Sequence, residues 1–204
     1  IDLMQDGAID TPSITTALAA ELDAGARVGL DPRTVSAKRF AALKKEFAAA
    51  GITLVCDMTL MDEVWTDRPQ AVFHPVRTFG FGQKPVAEKL SGLRREIARA
   101  GAQALLISTL DDIAWLTNLK GPTLVHGESL AQIASAGFDV IDYADALTEI
   151  PHLLEGQCVL LDPDRTSQAL FEILEKAGIS VVAHPQPTQV MKSRRTHEEL
   201  ELLK

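Results

Sequence analysis

Two adjacent carboxylates, Asp111 and Asp112, are the first residues of this chain to suggest chemistry, because a carboxylate pair can divide the roles of acid and base. They follow the apolar run Ala104-Leu105-Leu106-Ile107 and precede Ile113-Ala114-Trp115-Leu116, which reads as a strand, a helix start and a short apolar helix. Neighbours at a helix start point in different directions, so capping is favoured over a catalytic pair: acids there meet unpaired N–H groups and the positive end of the dipole. His74, His126, His152, His184 and His197 show no H-x-H or H-x-x-x-H spacing, and none pairs with Cys, which favours surface or capping roles over metal ligation. Ser108, Ser129 and Ser167 lack the G-x-S-x-G setting of a nucleophile. Gly80-Phe81-Gly82 lacks the third glycine and the helix start of a dinucleotide-binding turn.

The composition sets bounds on the rest. Hydrophobic residues at 46% and charged residues at 24% are the balance of a folded chain, and 204 residues suffice for one large or two small domains. A net charge of −8 argues against a grip on nucleic-acid phosphates, and Lys192-Ser193-Arg194-Arg195 is the single basic cluster. No apolar run approaches the roughly 20 residues that cross a bilayer, so no membrane partner is expected. The sequence shows no signal-peptide pattern and starts at Ile1 rather than at a Met, which suggests either a processed fragment or a chain given without its first residues. Cys56 and Cys158 lie in apolar strand-like runs and read as buried free thiols, which suits a cytoplasmic location.

The elements that must position these residues repeat. Arg27 to Leu30, Asp31-Pro32, a helical stretch from Lys38 to Ala50, then Gly51 and Ile52 to Val55 form one cassette. Val159 to Leu161, Asp162-Pro163, a helical stretch from Thr166 to Ala177, then Gly178 and Ile179 to Val182 form another. Each reads strand, turn, amphipathic helix, glycine, strand, and such units stack into an α/β layer structure with a largely parallel sheet. Two cassettes predict two domains, with the break near Arg68 to His74, where Pro69 and Pro75 interrupt any helix. Residues 76–82 read as loop or edge. From Val86 to Ala100, the residues Leu90, Leu93, Ile97 and Ala100 share one helical face. Pro185, Pro187 and the run to Arg195 read as a linker, and Thr196 with Glu199 as the capping box of a new helix.

Two stretches carry a resemblance. Thr109 to Gly121, TLDDIAWLTNLKG, and Leu60 to Pro69, LMDEVWTDRP, resemble paired segments of the Xaa-Pro aminopeptidases, the aminopeptidase P members of the creatinase ("pita-bread") metallopeptidases. Weaker matches lie at Leu3 to Gly7, Thr11 to Ile14 and Val28 to Pro32. The resemblance implies two creatinase N-terminal-like domains of α/β build, with mixed, largely parallel sheets flanked by helices. It places the rear part of the first domain at 1–72, the middle domain at 73–190, and a linker with the first helix of an absent catalytic domain at 191–204. A strand and its loops are expected to be missing between Gly121 and Pro122, and so is the front of the first domain, which supplies a substrate-holding Arg in the family.

The resemblance also implies an activity: removal of an N-terminal residue that precedes proline. Two divalent metals, usually manganese, would be held by two Asp, one His and two Glu of the catalytic domain. That series is not found here; Asp23-Ala24-Gly25 has its first spacing but reads as a helix end. No cofactor is therefore expected in this chain, and no catalytic or metal-binding residue is assigned. Trp65, Asp67, Arg68, Trp115, Asn118 and Lys120 are the interdomain or cleft-facing candidates. For the two tryptophans core packing is favoured, and Arg68 is the better candidate for an interdomain ion pair. The implied partners are the protein's own catalytic domain, a second copy in a homodimer, and a proline-containing peptide. Alternatives are a non-enzymatic peptide- or histone-binding module, a free-standing flavodoxin-like regulator, and a creatinase-type amidinohydrolase relative.

Overall fold

The computed structural model describes residues 8–57, 60–69, 77–78, 84–120 and 137–201. Close contacts divide the chain into two units: Ile1–Asp67 with Ser167–Ala169, and Arg68–Thr166 with Leu170–Lys204.

The first unit begins with α1 (Ile14–Glu21), capped by Ser13, whose hydroxyl accepts the Thr16 N–H. Strand β1 (Arg27–Leu30) lies parallel to β2 (Thr53–Cys56), with Arg27 opposite Thr53 and Leu30 opposite Cys56. Between them runs α2 (Ala37–Ala49), capped by Ser36. Its residues Phe40, Leu43 and Phe47 fall at helical spacing and pack with Ile52 and Leu54 into the core. The return to β2 turns on Gly51, at φ +74°, where a side chain would be strained. A short helix, α3 (Leu60–Val64), follows.

In the second unit, β3 (Arg77–Thr78) pairs antiparallel with β5 (Leu119–Lys120). A parallel sheet runs in the order β4 (Ala104–Leu105), β6 (Cys158–Leu161), β7 (Ser180–Ala183). Central β6 has Val159, Leu160 and Leu161 fully buried, as expected for a strand covered on both faces. Helices α4 (Val86–Arg99), α5 (Leu110–Thr117), α6 (Ala146–Leu153) and α7 (Gln168–Lys176) complete the layers. The fold is therefore α/β with largely parallel sheets, and each Asp-Pro cassette forms a parallel β-α-β unit.

Three expectations change. Residues 187–193, expected as linker, form helix α8 (Pro187–Ser193), because Pro187 sits in its first turn, where no N–H is needed. A domain end at 190 cuts through that helix, so the second unit runs on past it. Trp65, expected in the core, is 46% exposed. Cys56 and Cys158 are half-buried rather than buried, and neither is in a disulfide. Helix α9 (His197–Glu201) starts after Thr196. The junction of Gly121 with Pro122, the Gly80–Gly82 turn, Ser129, His74 and His126 lie outside the described residues. Among the described residues no helix is long and apolar enough to cross a membrane.

Candidate functional site

Polar side chains concentrate in the second unit beyond the C-terminal ends of its parallel strands, where α/β folds usually receive ligands. Here the position is filled from within. Asp112, in the first turn of α5, is fully buried. Its Oδ2 accepts from Thr109 Oγ1 at 2.6 Å and from Gln186 Nε2 at 3.0 Å. Gln189 Nε2 donates to both carboxylate oxygens, at 2.8 and 2.6 Å. The Lys192 ammonium stands 2.7 Å from Asp112 Oδ1 and 2.5 Å from Asp111 Oδ2. Gln186, on the turn into α8, adds its backbone N–H to Asp162 Oδ2 at 3.1 Å, and its side-chain amide meets Thr188 Oγ1 at 3.0 Å. One carboxylate thus gathers the start of α5, the turn after β7 and one face of α8.

The electrostatics follow from this geometry. Burial alone pushes the Asp112 carboxyl up, but the Lys192 ammonium, the Thr109 hydroxyl and the Gln189 amide outweigh it and hold the group below its ordinary 3.8. Burial likewise pushes Lys192 down, yet Asp111 and Asp112 together raise it above 10.5. Asp112 is therefore a fixed anion and Lys192 a fixed cation at neutral pH, and neither is poised to exchange a proton. The capping reading holds for the position of these acids in the first turn of α5. It fails for the Asp112 oxygens, which are taken by side chains of Thr109 and of the α8 segment.

A divalent metal does not fit here. Its ligands would have to present oxygen lone pairs, but those of Asp112 already face donors and an ammonium. Among the described residues, no group of three or more His, Cys, Asp or Glu is placed to hold a metal ion. His152 and His184 are exposed, and His184 Nδ1 lies 2.6 Å from the Pro185 carbonyl. His197 faces Glu201 at 3.8 Å.

A second polar knot joins α4 to α5. Lys89 is 2% exposed, its Nζ donates to the Trp115 carbonyl and to Asn118 Oδ1, and it lies 4.7 Å from the centre of the Trp115 ring. Asn118 closes α5 in the left-handed conformation at φ +56°, which asparagine tolerates better than most residues, and its amide donates to the Lys84 carbonyl. Of the sequence candidates, Trp115 and Asn118 are brought together by Lys89. Lys120 lies in β5, opposite Arg77 of β3. Trp65, Asp67 and Arg68 are exposed in the segment after α3. Sequence reasoning missed Lys89, Gln186, Gln189 and Lys192. The one signal for Lys89 was its place four residues before buried Leu93, on the inner face of α4.

Residues 67–126 match the family described as the Creatinase/Prolidase N-terminal domain. Aminopeptidase P2 of Arabidopsis thaliana is 37% identical over 197 residues, which cover 92% of this chain. Over most of its length the chain is thus similar to aminopeptidases of the P type. It spans only 28% of the length of that Arabidopsis relative. Xaa-Pro aminopeptidase ApepP of Drosophila melanogaster is also 37% identical, over 58% of this chain and 20% of its own length. The crystal structure of an X-prolyl aminopeptidase from Caenorhabditis elegans, described as a cytosolic enzyme with a di-nuclear active site, superposes with a TM-score of 0.81. It covers 98% of this chain and 38% of its own at 22% identity, which establishes a common fold.

Proposed function

We propose that this chain is the non-catalytic front and middle portion of a metal-dependent Xaa-Pro aminopeptidase, a hydrolase that removes the residue preceding a proline. The observation that carries the reading is the 37% identity running through 92% of the chain while spanning 28% of the relative. In this reading the two units wall the cleft, so that a free N-terminus with proline second can enter, and they support assembly as a cytoplasmic homodimer. Trp65, Asp67 and Arg68 serve as interdomain contacts, and Trp115, Asn118 and Lys120 face the cleft.

The catalytic metals, two divalent ions with manganese as the proposed identity, belong to polypeptide outside these residues. They would activate water and polarise the scissile carbonyl. The contribution of this chain is positioning and exclusion, which acts through the geometry of the bound substrate.

The test compares the 204-residue chain with the whole natural protein on Arg-Pro-Pro in manganese, after contaminating peptidase has been removed. The expected result is turnover by the whole protein and none by the chain. Metal-dependent hydrolysis by the chain alone would overturn the assignment. So would a whole protein that binds proline peptides without cleaving them, as a peptide-binding module does.

A further inference from the structure

Helix α8 has seven residues. Isolated helices shorter than about 12 residues are marginal in water, so contacts rather than propensity must hold it. On one flank, Gln189 and Lys192 close on Asp112 and Asp111. On another, Met191 reaches α4 at Gly92, where a Cβ would come within 3.0 Å of Met191 Cε. Thr188 is fully buried beneath. Beside it lies a cleft of about 470 Å³, bordered by Glu96, Arg99, His184 and Arg194. After Ser193 only residues 194–196 precede α9, and Arg194 and Arg195 are exposed. Three residues thus separate the end of α8 from the start of α9.

We propose that α8 is a latch closed by Lys192 on Asp112, and that Lys192 is thereby a positioning residue: it fixes the end of α8 from which the chain runs on through residues 194–196. The consequence for catalysis rests on the function proposed above, because the polypeptide that follows is then the metal-bearing domain; the latch itself does not depend on that reading.

Hydrogen exchange and limited trypsin digestion of the intact protein test the latch, with Lys192→Met, Lys192→Arg and the paired Asp112→Asn/Lys192→Met as variants. The pair removes both charges together, so it remains informative if the buried unpaired carboxylate of Lys192→Met prevents folding. Opening a buried ion pair should speed exchange of the α8 amides by about a hundredfold in Lys192→Met, with the amides of β6 and β7 unchanged. Cleavage at Arg194 and Arg195 rises in parallel, the paired variant shows a smaller effect in the same direction, and Lys192→Arg restores protection. On Arg-Pro-Pro, Lys192→Met lowers kcat by about tenfold or more, as misplacement remote from the chemistry does. Unchanged α8 exchange in Lys192→Met and the pair would overturn the latch. Loosened α8 with kcat and KM unaltered would overturn the positioning role. A wild-type protein inactive on proline peptides would remove the catalytic consequence and refute the proposed function, while the exchange result still decides the latch.

Discussion

After β1 and after β6 the chain makes the same Asp-Pro turn, and the two copies end up in different electrostatic settings. In the first, Asp31 Oδ1 accepts the Arg33 N–H at 2.9 Å, and the Arg33 guanidinium closes on the same carboxylate at 2.7 Å. In the second, Asp162 Oδ1 accepts the Asp164 N–H at 3.0 Å, but Oδ2 takes the amide of Gln186, 24 residues on. The side chain of Gln186 continues to Asp112 and so to Lys192. An identical local device, a carboxylate holding the amide two residues ahead, has its arginine close in one cassette, whereas in the other Arg165 stands off at 3.8 Å and the carboxylate joins a buried network. The cassette supplies the scaffold, and what docks on its strand ends decides whether the turn is local or part of a joint.

That contrast can be broken at several points. The largest effect is expected for Lys192→Met, which strands a buried carboxylate and should cost about 3–5 kcal/mol in urea unfolding. Next comes Leu174→Ala in the fully buried core of the second unit, at about 2–5 kcal/mol depending on how far the cavity collapses. Asp162→Ala, which leaves the Gln186 amide without its acceptor, should cost about 1–3 kcal/mol. Arg33→Ala in the matching turn should cost under about 1 kcal/mol, because Arg33 is 42% exposed and its pair is screened. Equal costs for the last two would erase the distinction between the turns.

Acid titration sharpens the same comparison. The Asp112 carboxyl lies below 3.8 in the folded state, so below that pH the unfolded chain binds more protons. Its contribution is fully present above pH 3.8 and is lost as pH falls through the depressed value. Asp112→Asn should therefore show a shallower acid limb than wild type in denaturant midpoints measured below pH 4. Lys192, raised above 10.5, contributes fully below that pH and loses its contribution as pH rises through the raised value. Lys192→Met should flatten that alkaline limb.

Much of the fold was legible because it is written locally. The periodicity of Phe40, Leu43 and Phe47, the apolar runs before each Asp-Pro, and Gly51 and Gly178 at positive φ place helix, strand and turn within a residue or two. The joint was not legible, for equally physical reasons. Asp112 and Lys192 are 80 residues apart in sequence, and no period connects them. Pro185 and Pro187 signal a break, yet a proline in the first turn is also how a helix starts, and only the packing of Thr188 and Met191 distinguishes the two. Lys89 occupies the inner face of α4, where pattern reading assigns a lysine to solvent; the carbonyl of Trp115 and the amide oxygen of Asn118 are what make it tolerable inside.

The central claim is that these residues are scaffold and that the reactive metals are held elsewhere. Equilibrium dialysis of the 204-residue chain against manganese, followed by metal analysis of the protein, tests it most directly. The account predicts no stoichiometric ion at neutral pH, because the buried carboxylate already carries an ammonium and three neutral donors. One or two ions retained per chain, and lost on Asp111→Asn/Asp112→Asn, would contradict it.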